Sequence, residues 1–398
     1  MKQVYLDHAA TTPLDTRAQE AMKPYLQERY GNPSSFHSVG KQVKDDLDQA
    51  RSRISKLISA RTSEIIFTSG GTESDNLALL GFARKNQDKG KHVITTRIEH
   101  HAVLHTAKQL EKEGFEVTYL NVDQDGLIDP KQVIAAIRPD TILVSIIYAN
   151  NEIGVIQPIS EIGNIIEKHR RDNQSEYPIL HTDACQAAGA LEIDVRKIHV
   201  DMMTLNGSKI YGPKGVGLLY KRRELKLESL MYGGGQESGV RPGTENIAGI
   251  IGLAKALEIA INEQGTESER LIELRDKLIV GIKDKISKVR LNGHATERLP
   301  NNVNLSIGDI EGEALLLYLD AQGIYCSTGS ACTSASLDPS HVLLALGLPA
   351  EVAHSSLRLT LGRSTTEEDI DYVLEVLPGV VEKLRKISPV KVDDKYFK

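Results

Sequence analysis

The sequence predicts an α/β protein, with a large domain built on a mostly parallel seven-stranded sheet and a smaller α+β domain beside it. Apolar runs of strand length recur from Glu64 onward, and patterns of helical period separate most of them. Strand alternating with helix implies crossover connections, which join parallel neighbours. At 398 residues, 40% apolar and 26% charged, the chain can build one large core and a second, smaller one.

In chain order, Tyr5–Pro13 (YLDHAATTP) reads as an extended structural lead-in to a helix from about Asp15, and Tyr30–Ser35 (YGNPSS) as a turn cluster. Strands are expected at Ile65–Thr68, His92–Thr95, Val117–Val122, Thr141–Tyr148, Ile179–Asp183 and Met202–Leu205. Gly-Pro-Lys-Gly at 212–215 must reverse the chain, and Val216–Tyr220 supplies the seventh strand. A helix over Asn246–Gln264 places Ile247, Ile250, Ile251, Ala254, Leu257 and Ile261 on one face, and Gly265-Thr-Glu-Ser-Glu269 interrupts that pattern. The domain boundary is placed there: 15–264 form the large domain, 1–14 and 265–398 the small one. The remainder holds an amphipathic helix from about Glu267 to Val289, a strand at Val303–Ile307, and helices at Glu311–Gln322 and Thr366–Arg385. Pro389–Lys398 is polar and is expected to be mobile.

A net charge of -6 and a pI near 6.1 give no footprint for nucleic acid or an anionic membrane. No window approaches a membrane span and the N-terminus has no apolar signal region, so a soluble, cytoplasmic protein is expected. Cys185, Cys326 and Cys332 cannot pair completely and show no zinc-ligand spacing, so no metal is expected.

Ligands of parallel sheets sit beyond the carboxyl ends of the strands. Polar residues cluster just there: Ser69–Glu73, Glu99–His101, Asn150–Glu152, Asp183 with Gln186, and Lys209. Gly70 and Gly71 let a phosphate approach the backbone, and Thr72 opens the following helix. Each piece also has a plain structural reading. Ser69–Thr72 makes a capped turn, Asp183 caps a helix over Cys185–Ala190, Lys209 is a solvated charge, and His100 and His101 are satisfied histidines. Together, a lysine for a Schiff base, an aspartate for a pyridinium nitrogen and a Gly/Thr phosphate cup are the contacts that pyridoxal 5'-phosphate needs.

Ten strings carry a resemblance over nearly the whole chain: YLDHAATTP (Tyr5–Pro13), YGNPSS (Tyr30–Ser35), FTSGGTESDN (Phe67–Asn76), EHHAV (Glu99–Val103), ANNEIGVIQP (Ala149–Pro158), HTDACQAAG (His181–Gly189), SKIYGPKGVG (Ser208–Gly217), RPGTEN (Arg241–Asn246), STGSACTSAS (Ser327–Ser336) and HSSLRLTLGR (His354–Arg363). The chain resembles the cysteine desulfurases of the NifS/IscS-like group, fold-type I pyridoxal-phosphate enzymes of the class-V aminotransferase family. The resemblance implies that Lys209 holds the cofactor and later moves protons, His100 stacks on its ring, and Asp183 pairs with its nitrogen. Asn151 and Gln186 lie near its phenolic oxygen or the substrate. Gly71, Thr72, Asn206 and Ser208 serve the phosphate, as does Thr244 from the other subunit of a homodimer.

By the same resemblance Cys332 takes sulfur from L-cysteine as a persulfide, leaving L-alanine, and Arg358 clamps the substrate carboxylate. Sulfur then passes to acceptors such as an iron–sulfur scaffold or a tRNA thiolation enzyme. Most of the family has Ser-x-His before the lysine; this chain reads Asn206-Gly207-Ser208, so Ser208 replaces the histidine and a cationic phosphate contact is gone. An aminotransferase would not need Cys332. A selenocysteine lyase, or a docking subunit that kept the fold without the activity, stays open at this point.

Overall fold

The computed structural model describes residues 2–329 and 338–397. The chain begins with a two-residue strand, β1 (Val4–Tyr5). Seven strands then build the large sheet: β2 (Ile65–Thr68), β3 (His92–Thr96), β4 (Glu116–Leu120), β5 (Thr141–Ser145), β6 (Ile179–Asp183), β7 (Met202–Asn206) and β8 (Gly217–Lys221). Their order is β2-β8-β7-β6-β5-β3-β4, and β8 alone runs against the other six. β2, β3, β5 and β6 are buried along their whole length, which is why they read as continuous apolar runs and not as alternations. The reversal at β8 follows from Gly212–Gly215, where Gly215 has φ +74° and so occupies the left-handed region open to glycine.

Helices cover both faces. Helix Ser38–Leu57 buries Val43, Leu47, Ala50 and Ile54, a helical stripe turned to the core of the large sheet. A second apolar cluster forms around a three-stranded antiparallel sheet of β9 (Val289–Leu291), β10 (Asn302–Ile307) and, after the short β11 (Ile324–Tyr325), β12 (Ser356–Thr360), ordered β12-β10-β9. Helices Gly312–Asp320 and Glu367–Ile387 contribute to it. β1 pairs with β11, so the N-terminus joins this second cluster, where Val4 and Leu6 are buried.

Several expectations need correction. No break occurs at Gly265: one helix runs from Ile247 to Lys285. The apolar face changes partner along it, with Ile250, Leu253 and Leu257 in the first cluster and Leu271, Leu278 and Ile282 in the second. A single glycine in a long helix costs only about 1 kcal/mol, which packing at both ends outweighs. No helix forms over Cys185–Ala190; the segment is a series of turns. The C-terminal segment through Phe397 is docked, not loose. Val392 donates its N–H to Asp309 (2.9 Å), Lys288 bridges Asp309 and Asp394, and Val390, Tyr396 and Phe397 pack on the cluster around Leu346. Among the described residues, no helix is long and apolar enough to cross a membrane.

Candidate active site

Because β2, β3, β5, β6 and β7 share one direction, the loops after them open on one edge. Asp183 ends β6, where its Oδ1 accepts the N–H of Cys185 (2.9 Å). Asn206 ends β7 and accepts the N–H of Ser208 (3.2 Å), closing the tight turn Gly207–Lys209 that carries the lysine. His100 caps helix His101–Lys112, its Nδ1 accepting the N–H of Ala102 (3.1 Å). With Nδ1 used as acceptor, the neutral ring keeps its proton on Nε2. Burial pushes its pKa down.

These loops and β12 enclose a cavity of about 380 Å³, lined by Gly71, Thr72, His100, Asn151, Asp183, Gln186, Asn206, Lys209 and Arg358. Nine of the twelve residues singled out from sequence therefore meet at one place. Ser208 lines an adjoining opening that shares Gly71, Thr72 and Asn206 with the cavity. Thr244 is exposed and does not line the cavity. Cys332 lies outside the described residues, while Gly329, on the approach to it, reaches the cavity wall.

The turn expected to cup a phosphate is shaped by its glycines. Gly70 has φ +155°, and a side chain there would find only Asn206 Oδ1, at 4.0 Å. A Cβ on Gly71 would lie 2.8 Å from Cys185 Sγ. Gly70 is thus bare toward open space, while Gly71 packs directly against Cys185.

Sequence reasoning missed several residues. The lead-in is more than structural: Lys209 Nζ donates to the carbonyls of Ala9 (2.9 Å) and Ala10 (2.6 Å), and Gln186 Nε2 also donates to Ala9 (2.9 Å). Asp7 pairs with Arg358 at 2.8 Å. Three buried acids ring the site. Burial, reinforced by the Asp183 carboxylate, pushes Asp75 well above the usual carboxylate range, and one ligand atom each of Asp75, His100 and Asp183 lie within 4.8 Å of one another. Burial pushes Glu99 up to about 8 and Glu152 up to about 7. Glu99 accepts from Thr96 Oγ1 (2.7 Å) and the N–H of Ile147 (2.9 Å), and Glu152 accepts from Ser340 Oγ. Beneath Asp183, His181 lies between Ser145 (2.9 Å) and Thr204 (3.1 Å) with its pKa pushed by burial down to about 4, so it is neutral. All of these acids sit inside strings quoted above. The available signal was an acid beside a run otherwise destined for burial, where a charge needs a partner or a proton.

The aminotransferase class-V family model matches residues 4–373. The chain belongs to the class-V aminotransferase family. Within it, the chain is 52% identical over 398 residues to the cysteine desulfurase IscS of Dictyoglomus turgidum, covering 100% of this chain and 99% of that protein. It is 54% identical over 389 residues to the IscS of Methanosarcina thermophila, covering 98% and 94%. Among solved structures, a NifS-like protein superposes with a TM-score of 0.89 at 36% identity, covering 96% of this chain and 100% of that one. SspA in complex with cysteine superposes at 0.79 with 38% identity, covering 90% and 99%. This class-V enzyme is therefore one of the IscS-like cysteine desulfurases and has the fold-type I architecture. Its cofactor is pyridoxal phosphate, and the residues present fit it: an amine, a carboxylate whose neighbouring acid Asp75 has an unpartnered buried oxygen, and a bare glycine cup.

Proposed function

We propose that this enzyme takes sulfur from L-cysteine, releases L-alanine, and carries the sulfur as a persulfide on Cys332 for delivery to acceptor proteins in iron–sulfur cluster assembly or tRNA thiolation. The observation that supports it most is the meeting of Lys209, Asp183, His100 and Arg358 around one cavity in a chain about half identical to IscS enzymes. When bound, pyridoxal phosphate supplies an electron sink that makes the bonds around the substrate Cα labile.

The chain's own residues supply the rest. Gly71, Thr72, Asn206 and Ser208 would hold the phosphate, and Asp183 would face the ring nitrogen and favour its protonated form. His100 covers the ring. Arg358 takes the substrate carboxylate, with Asn151 beside it. Lys209 removes the Cα proton and later returns one at Cβ. The Cys332 thiolate attacks the substrate sulfur, the C–S bond breaks with its electron pair going to carbon, a proton adds at that carbon, and return of a proton to Cα completes alanine. Cys185 and Cys326 suit this step poorly, since burial pushes Cys185 well above its ordinary value and Cys326 up to about 12.

A homodimer belongs to the same reading. Leu26, Tyr30, Phe36, Met231 and Tyr232 are exposed, a load of apolar surface consistent with burial against a second copy. Thr244, exposed here, is then available to the partner's phosphate. Light scattering of the holoenzyme tests the dimer, which a monomeric mass refutes.

The decisive experiment is mass spectrometry of the holoenzyme after incubation with L-cysteine. An added sulfur atom should map to Cys332, and Cys332→Ser should keep the bound cofactor yet release no sulfide. Added sulfur on Cys185 or Cys326, or undiminished release from the variant, removes the assignment.

A further inference from the structure

Arg358 is 2% exposed, and every contact of its guanidinium is therefore a matter of protein and ligand, not of water. Nη1 donates to the carbonyl of Asn151 (3.0 Å) and Nη2 to Asp7 Oδ1 (2.8 Å), while Nε has no partner. Arg358 lines the cavity, whereas Asp7 stands behind it and does not. Asp7 is held there by its backbone. It bridges Thr360 on β12, the next residues bond Thr360 as well (His8 N–H to its carbonyl, 3.3 Å), and Tyr5 donates its hydroxyl to the Asp7 carbonyl (3.1 Å). The acid is thus pinned to the strand that carries the arginine it faces.

A buried guanidinium needs an anion, and here one is already present. We propose that Asp7 is the resident counter-ion of Arg358 and thereby sets how strongly the site attracts the carboxylate of its amino-acid substrate. The inference rests on the reading in which Arg358 receives that carboxylate. While Asp7 neutralises the guanidinium from behind, an incoming carboxylate gains only the surplus, and it is directed to the unpaired Nε and the remaining N–H groups. Asp7 is a positioning residue that holds the fork in plane and lowers its pull.

Asp7→Asn keeps an acceptor oxygen but removes the charge, leaving the substrate carboxylate as the only anion hydrogen-bonded to the fork. In the dimeric holoenzyme KM for L-cysteine should fall about fivefold, with a smaller change in kcat. 3-Mercaptopropionate, which has the carboxylate and no amine, should inhibit the variant more strongly by a similar factor. Cysteamine, which has the amine and no carboxylate, should inhibit both proteins alike. A merely structural role would instead raise KM and weaken both inhibitors together, and that result overturns the proposal. Asp7→Glu, which retains the charge, should keep the parent's ratio of the two inhibition constants; a ratio shifted as in Asp7→Asn also overturns it. Arg358→Leu separates the two levels. If it leaves KM and 3-mercaptopropionate binding unchanged, the reading of Arg358 itself is wrong; if it weakens both while Asp7→Asn has no effect, the counter-ion inference alone fails.

Discussion

Gly71→Ala is a one-carbon test of the phosphate cup. The new Cβ would stand 2.8 Å from Cys185 Sγ and 3.7 Å from Asn206 Cβ. Favourable contact between such atoms lies near ~3.5–4 Å, so the sulfur must retreat by at least about 0.7 Å. It has little room, because Cys185 is 8% exposed and its N–H is tied to Asp183. Overpacking of this kind costs about 1–3 kcal/mol. Any retreat also disturbs the Asp183 carboxylate bonded to the Cys185 N–H, so under the proposed assignment cofactor affinity should fall as well. Cys185→Ala removes the obstructing atom, and the double variant should recover most of the loss. Urea unfolding of cofactor-free protein measures the stability part, and titration of the cofactor absorbance measures affinity. If the two substitutions add to within about 0.5 kcal/mol, the contact does not exist as described and the reasoning is wrong.

Other expectations concern the lysine and the buried charges. Lys209→Ala should abolish the covalent cofactor absorption band, and an intact band would move the attachment to Lys214, whose Nζ donates to the Thr12 carbonyl (3.0 Å). Glu99, pushed up to about 8, binds its proton more tightly in the folded protein than in the unfolded chain, where glutamate titrates near ~4.3. Its protonation therefore favours the native state fully at low pH, and that advantage drains away as pH climbs to 8. His181 acts in the opposite sense, but only between about 4 and the ordinary histidine value, so the interval from pH 6.5 to 8 isolates the acids. Glu99→Gln should flatten the decline in urea midpoint across that interval; an unchanged slope excludes Glu99 as a source. Asp201, whose carboxylate receives Arg170 and Arg222 at 2.6 Å each and the N–H of Leu180 at 2.8 Å, is purely structural. Asp201→Ala should cost about 3–5 kcal/mol by stranding a buried guanidinium, and a loss under 1 kcal/mol by calorimetry would refute it.

The strands were legible because doubly covered strands are apolar throughout and their turns carry Gly-Pro or polar clusters. Their lateral order was not, since β2 and β8 pair across a gap of about 150 residues that no local pattern encodes. Lys209 and Asp183 could be read from the spacing of polar residues after strands, whereas His100 was singled out only by the family resemblance. Asp7 and Asp75 could not, and Glu152 was placed at a strand end without a role, because a carboxyl becomes informative only once its burial and partners are known. Gly265 misled for the opposite reason. Local propensity argues for a break, while the packing of both halves of that helix settles the conformation. The tail likewise looked solvated by composition, yet Val392 and Phe397 find apolar partners contributed by distant segments.

The unbroken 39-residue segment Ile247–Lys285 has a mechanical corollary. As a rod of about 58 Å it is rooted in both apolar clusters, so swinging one against the other means snapping consecutive rungs of its ladder. Lys209 and Arg358, which line one cavity from the two sides, are thus tied together through one continuous element.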